Sequence, residues 1–225
     1  MLNNGNGIFS AAPGSPFASG GTSPIHVALG DVDGDGDLDA ALANQFSHDV
    51  SILLNSGNGT FSTRLGSPFA TGGTNAVCVT MGDVDGDGDV DIATANSGSN
   101  NASVLLNNGT GFFAPTAGSP FATGTQPWSV AFGDANGNGT LDLATGNLTS
   151  DNVTVLMNNG AAAFTPAIGS PFAVGTNPYA VVFGDVDGDG DVDIAAGNSG
   201  SNNVTILLNQ NSPARAGFGN ALSFN

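Results

Sequence analysis

Glutamate and lysine are absent from this 225-residue chain, while arginine, histidine and cysteine number two, two and one. Phosphate recognition needs clustered Lys and Arg, so a net charge of −17 excludes nucleic acid as a partner. Cys78 alone cannot form an intramolecular disulfide, and its place in the apolar run Ala76 to Met81 suits a buried structural thiol. No apolar stretch approaches the ~20 residues of a membrane-spanning helix, so no membrane insertion is expected. Met1-Leu2-Asn3-Asn4 lacks the charged start and apolar core of a secretory leader. Those residues instead match Leu106-Asn107-Asn108. The chain therefore reads as starting inside a repeat: a trimmed chain, a reading frame cut from a longer protein, or a permuted closed ring.

Groups for proton transfer are equally scarce. Of 19 Asp, 17 fall in four short acidic segments, which leaves Asp49, Asp151, His26 and His48 as candidate acids and bases. His26 aligns with Cys78, Ser129 and Ala180 on a small-residue strand face, as a packed side chain would, and His48-Asp49 reads as a solvated turn pair. No serine sits in a Gly-x-Ser-x-Gly elbow. The expectation is a protein that is not an enzyme.

What the chain has in abundance is Asp at alternate positions. The nonapeptides are 31–39 (DVDGDGDLD), 83–91 (DVDGDGDVD), 134–142 (DANGNGTLD) and 185–193 (DVDGDGDVD), spaced by 52, 51 and 51 residues, so each belongs to one copy of a repeated unit. Close like charges repel by about 1 kcal/mol per pair even in a water-like dielectric, so the pattern calls for a cation. Oxygen-only ligands on a tight loop suit calcium, which accepts about 6–8 oxygens with tolerant geometry. In the first loop Asp31, Asp33, Asp35 and Asp39 offer side-chain oxygens, Asp37 its backbone carbonyl, and Gly36 permits the turn. The corresponding sets are Asp83, Asp85, Asp87, Asp89, Asp91 and Asp185, Asp187, Asp189, Asp191, Asp193. In the third loop the set is Asp134, Asn136, Asn138, Thr140 and Asp142, with two carboxylates only. Up to four calcium ions are expected, the 134–142 site weakest, or else held metal-free by Asn-rich turns. Four ions at +2 each would move the formal charge from −17 to −9.

The twelfth-position Glu of a helix-loop-helix calcium site is replaced by Leu42, Thr94, Thr145 and Ala196, and the flanks read as strands. In the fourth unit, strands are expected at 178–183, 192–196 and 204–208, followed in each full repeat by an Asn-rich turn, a Phe and the phrase Gly-Ser-Pro-Phe-Ala at 14–18, 66–70, 118–122 and 169–173. Four short strands with turn chemistry between them is the pattern of a propeller blade. The entering strand alternates bulky residues (Ile25, Val27, Leu29 in the first copy) with small ones, and the next strand carries Ala41 and Ala43 or their counterparts, so sheets can pack closely on both faces.

The Asp-x-Asp-x-Asp-Gly-x-x-Asp loop between two strands, preceded by apolar-Gly and followed by apolar-Ala-x-Ala/Gly-Asn, resembles the FG-GAP/VCBS repeats of bacterial surface proteins, related to the calcium-bearing blades of integrin α-subunit propellers. The resemblance runs from about residue 2 to about 209. It implies an all-β fold, a β-propeller with one calcium loop per blade, in an extracellular or cell-surface setting. The third loop departs from the motif, and the tail 210–225 lacks the Gly-Ser-Pro-Phe-Ala phrase.

Residues 1–225 are thus expected to form one domain of four blades of about 51 residues. Its ring would be closed by residues 7–18 pairing as an outer strand with 204–208; otherwise two chains would share a larger ring as a homo-oligomer. Eight residues before each loop lie Ser23, Asn75, Gln126 and Asn177, and six before lie Ile25, Val77, Trp128 and Tyr179. In a propeller these positions gather at one end of the axis, so Ser23, Asn75, Gln126, Asn177, Trp128 and Tyr179 form a candidate site for a glycan or a cell-surface protein. The corresponding function is adhesion or carbohydrate recognition. The alternatives are a calcium-rigidified spacer without a ligand and a calcium-dependent polysaccharide lyase scaffold.

Overall fold

A computed structural model describes residues 2–3, 5–210 and 218–224. The described residues form strands and turns without a helix. Four antiparallel sheets follow one another along the chain, each built from one repeat, and are called blades 1 to 4. The inner strands are Pro24–Gly30, Ala76–Gly82, Pro127–Gly133 and Pro178–Gly184. Second strands are Asp39–Asn44, Asp91–Asn96, Asp142–Asn147 and Asp193–Asn198. Third strands are Asp49–Asn55, Asn101–Asn107, Asn152–Asn158 and Asn203–Asn209. Outer strands are Phe61–Thr63, Phe113–Pro115, Phe164–Pro166 and Phe218–Phe224.

The Gly-Ser-Pro-Phe-Ala phrase has a definite place in this sheet. Its Phe-Ala forms a second short outer segment, with Phe69 opposite Val50, Phe121 opposite Ala102 and Phe172 opposite Val153. Between the two outer segments the phrase's Ser accepts a backbone N–H of the third strand, Ser67 from Ile52, Ser119 from Val104 and Ser170 from Val155, at 2.8–3.0 Å. A polar side chain thus fills the gap in the ladder, and the third strand stays satisfied where a backbone partner is missing.

Every inner strand begins with a register shift. Pro24 pairs with Asn44 but His26 pairs with Ala43, which leaves Ile25 extra, and the same shift isolates Val77, Trp128 and Tyr179. Such a bulge re-aims the side chain of the extra residue. The period-two reading that put Ile25 on one face with Val27 and Leu29, and its counterparts likewise, does not allow for it.

Blades pack face to face on small second-strand residues, with Ala41, Ala43, Ala93, Ala95 and Ala144 fully buried. Three hydrogen bonds recur at the seams. Asn107, Asn158 and Asn209 Nδ2 donate to the carbonyls of Val32, Val84 and Ala135 in the preceding blade, at 2.8, 2.6 and 2.6 Å. The backbone N–H groups of Asn75, Gln126 and Asn177 donate to His48 Nδ1, Asn100 Oδ1 and Asp151 Oδ1 of the preceding blade at 2.8–2.9 Å. In two seams the inner strands are also linked, through His26 Nδ1 to the Val79 N–H and Ser129 Oγ to the Val181 N–H.

Closure by the N-terminus is corrected by the strand pairing. Phe9–Ser10 pairs with Leu2–Asn3, whereas the edge of Asn203–Asn209 is taken by Phe218–Phe224. A strand edge bonds one neighbour, and the tail supplies it although it lacks the repeat phrase. Residues 211–217 of that tail lie outside the described residues.

Candidate functional site

Each acidic loop is wound around its first Asp. Asp31 accepts the N–H groups of Gly34, Asp35 and Gly36 at 2.8–3.2 Å, and Asp83 and Asp185 hold the matching glycines. Both glycines of each acidic loop have positive φ, 75° and 91° at Gly34 and Gly36, a conformation that L side chains rarely adopt. Sequence reasoning credited the turn to Gly36 alone; the two glycines together curl the loop.

The last Asp of the nonapeptide does a second job. Asp39 is fully buried, its Oδ2 accepting the Val32 N–H and its Oδ1 the Asn55 N–H, at 3.0 and 2.8 Å. Asp91, Asp142 and Asp193 repeat this clamp between the loop and the third strand. Burial raises the carboxyl of Asp91 to about 7 and that of Asp142 to about 6, against the lowering effect of these N–H bonds. The clamp is what a bare reading of the loop as a ligand list misses.

Three loops bring carboxylates together. One oxygen from each of Asp31, Asp33 and Asp39 lies within 4.8 Å of the others, and the same holds for Asp83, Asp85, Asp91 and for Asp185, Asp187, Asp193. These three clusters could hold a metal ion. Asp33 Oδ1 is buried without a hydrogen-bond partner, as suits a cation ligand. Oxygen donors alone select a hard cation. Asp35, Asp87 and Asp189 lie further along each loop, accepting the N–H groups of Asp37, Asp89 and Asp191. The third loop makes the same backbone bonds through neutral groups, Asn136 and Asn138 accepting the N–H groups of Asn138 and Thr140, and differs in that Thr140 Oγ1 donates to Asn138 Oδ1 at 2.6 Å. Its neutral side chains satisfy one another.

A second feature lies at the bulged ends of the inner strands. There a cleft of about 470 Å³ is lined by Ile25, His26, Val77, Cys78, Trp128 and Tyr179, among others. The rings of Trp128 and Tyr179 lie 5.4 Å apart at 42°, and Tyr179 is half exposed. Cys78 is buried in the seam, where burial pushes its thiol up. The residues of the amide ring expected beside these aromatics are not among those lining the cleft. Ser23, Asn75, Gln126 and Asn177 all have φ between 53° and 59° and serve the turns. Gln126 Oε1 accepts from Thr149 and Asn177 Nδ2 donates to the Leu148 carbonyl, so these side chains are engaged in the fold. His48 likewise accepts a seam bond rather than facing the cleft.

Solved structures share this architecture. A lectin from Agrocybe aegerita, described as recognising non-reducing terminal N-acetylglucosamine, aligns with a TM-score of 0.54 at 23% identity over 87% of this chain and 50% of its own. A functionally unknown protein from Desulfotomaculum acetoxidans aligns at 0.62 and 16% identity, covering 90% and 56%. A putative 6-phosphogluconolactonase from Bacteroides fragilis aligns at 0.57 and 18%, covering 88% and 56%. The chain spans about half the length of these structures, and at such identity the likeness shows the fold alone. No curated protein matches the sequence. The model of the FG-GAP-like repeat matches three times, at residues 31–94, 83–145 and 144–196, each match running from one acidic segment or second strand into the next. With four repeated antiparallel sheets, acidic loops in register and a propeller-like fold, the chain belongs to the FG-GAP-like repeat family.

Proposed function

We propose that this chain is a calcium-binding, non-enzymatic recognition module of extracellular or cell-surface proteins, and that its axial cleft takes a glycan. The observation that carries the calcium reading is the threefold repetition of a three-carboxylate cluster with its oxygens within 4.8 Å, one oxygen of Asp33 being buried and otherwise unpartnered. Bound calcium would supply charge neutralisation and loop rigidity. Asp31, Asp83 and Asp185 wind the loops, Asp33, Asp85 and Asp187 add ligand oxygens, and the buried Asp39, Asp91 and Asp193 tie each loop to its blade.

Support for the glycan is the pair of aromatic rings at the cleft, since a sugar ring presents apolar C–H faces to aromatics and hydroxyls to nearby polar atoms. The Agrocybe aegerita lectin adds a precedent on the same fold. Scarcity of acids and bases outside the loops favours binding over a lyase activity. The spacer reading draws on the amides, since the Gln126 and Asn177 side chains are taken up by Thr149 and the Leu148 carbonyl.

A calorimetric calcium titration of chelator-stripped protein should report three tight sites per chain, with the 134–142 loop weak or silent; no binding at millimolar calcium would refute the metal reading. A glycan array probed with the calcium-loaded chain and with Trp128→Ala tests the cleft. Binding lost in the variant, with thermal melting retained, supports recognition. Equal silence of both proteins leaves the spacer.

A further inference from the structure

The two end blades carry the two halves of a seam. Inside the arc, Val79 of blade 2 is buried against blade 1, whereas its counterpart Val27 on blade 1 is 56% exposed. At the other end, Val182 and Val204 of blade 4 are 57% and 42% exposed, although the counterparts of Val204, Val50 and Val153, are buried.

Knob and notch match as well. A Cβ on Gly30, Gly82 or Gly133 would meet Met81, Phe132 or Phe183, the bulky residue that the next blade sets over that glycine. Gly184, the same position in blade 4, has nothing within 4 Å, and Leu29, the counterpart of Met81, is 59% exposed on blade 1. The polar groups correspond too. Among the described residues Asn55 Nδ2 bonds the Leu38 carbonyl of its own loop alone, whereas Asn107, Asn158 and Asn209 also reach the preceding blade. The carbonyl that Asn55 would reach, by analogy with Val32, is that of Val186, which is 55% exposed on blade 4. Asn202, left-handed like His48, Asn100 and Asp151, stands where those residues accept an N–H from the next blade, and Ser23 stands where Asn75 donates one.

We propose that these faces bind each other between copies of this chain, head to tail: blade 4 of one copy docks on blade 1 of a second copy and repeats the seam found three times inside each. Leu29 covers Gly184, Asn55 reaches the Val186 carbonyl, and Asn202 receives the Ser23 N–H. The contact is heterologous, so it propagates unless its rotation closes. Two copies closing on themselves give eight blades, twice the four of one chain, within the roughly four-to-eight range of closed propellers. Because each copy is strongly acidic, the association is favoured in calcium and at moderate salt.

Sedimentation velocity of the full chain in millimolar calcium tests this with two variants at exposed positions, Val27→Asp on the blade 1 face and Val182→Asp on the blade 4 face. Wild type should sediment at twice the monomer mass or above, and each variant alone at the monomer mass, with its thermal melting retained. An equimolar mixture of the two variants should restore a species of twice the monomer mass, because the intact blade 4 face of Val27→Asp meets the intact blade 1 face of Val182→Asp. A wild type that stays monomeric throughout the micromolar range overturns the proposal and leaves the faces to blades of other polypeptide. Dimers disrupted by only one variant, or not rescued by mixing, overturn it in favour of a two-fold contact of one face with itself.

Discussion

The second and third acidic loops follow the same backbone path and differ in chemistry. Both have paired positive-φ glycines, Gly86 and Gly88 against Gly137 and Gly139, and both end in a buried Asp that clamps the loop to the third strand. Between these fixed points the second loop carries Asp85, Asp87 and Asp89 and the third Asn136, Asn138 and Thr140. The neutral loop keeps its shape through side-chain bonds to its own backbone. Asp85 and Asp87 accept the corresponding N–H groups in the second loop, so folding of the loop depends on the glycines, the clamp and an oxygen acceptor at these positions, which Asn supplies as well as Asp. The negative charge is surplus to it, and that surplus suits the first, second and fourth loops to a cation.

Removing calcium should separate the loops most. At a hundredfold excess over the dissociation constant, each occupied site adds about 2.7 kcal/mol, so chelation should lower the melting temperature of the whole chain. Amide exchange should then rise in loops 31–39, 83–91 and 185–193 and stay level in 134–142; a uniform rise would break the comparison. In the chelated protein the folded state holds a proton on Asp91 up to about 7, whereas the unfolded chain loses it near 3.8. The folded state thus binds more protons in that window, and metal-free stability should fall as pH rises through it. Denaturant midpoints measured at pH 5 and pH 7 check the sign.

The clamp should matter equally in both loops. Asp142→Ala leaves the Ala135 and Asn158 N–H groups without their partner and should cost about 3 kcal/mol. Because no cation is involved, urea unfolding should show the same loss with and without chelator. Asp91→Ala should lose that amount in chelator and more in calcium, since it also removes a cluster oxygen.

Grafting converts one loop into the other. Asn136→Asp, Asn138→Asp and Thr140→Asp together should raise the calorimetric calcium count by one. The same triple variant should be less stable in chelator by about 1 kcal/mol or more through carboxylate repulsion. An unchanged count would mean that the loop's setting, and not its charge, decides binding.

The smallest effect distinguishes end blades from middle ones. Asn96 and Asn147 receive a hydroxyl bond from Thr94 and Thr145, whereas Asn44 and Asn198, following Leu42 and Ala196, keep a buried oxygen unpartnered. Ala196→Thr should supply that donor and stabilise the chain by about 1 kcal/mol in urea unfolding, provided the buried site admits the added atoms.

Much of this was readable in the residues. Spacing of the nonapeptides gave the number of blades, and strand positions in blade 4 were legible to within two residues because apolar alternation and turn residues agree there. The tail was not: 218–224 has no repeat phrase, yet it pairs with the third strand, since any extended segment offers the same backbone groups to an edge. Trp128 and Tyr179 were marked by type, but the bulge that isolates them at the cleft leaves no residue signature, for it arises from where two strands come into register. The surroundings of Asn75, Gln126 and Asn177 were hidden for a related reason. Their place in the repeat is visible in sequence, but their neighbour lies in the preceding blade, across a seam that sequence order does not reveal.

The sequence by itself determined the local chemistry: acidic loops, glycines that let them curl, alternating strands, and a period that makes every blade alike. These are contacts between residues a few positions apart, and identical local patterns give identical blades. Tertiary structure alone decided which Asp is buried as a clamp, which amides are taken up in seams, and that like residues on like blades meet opposite fates. Val79 and Val27 occupy equivalent strand positions, one buried and the other exposed, because burial depends on the neighbour, and only an inner blade has one on each side.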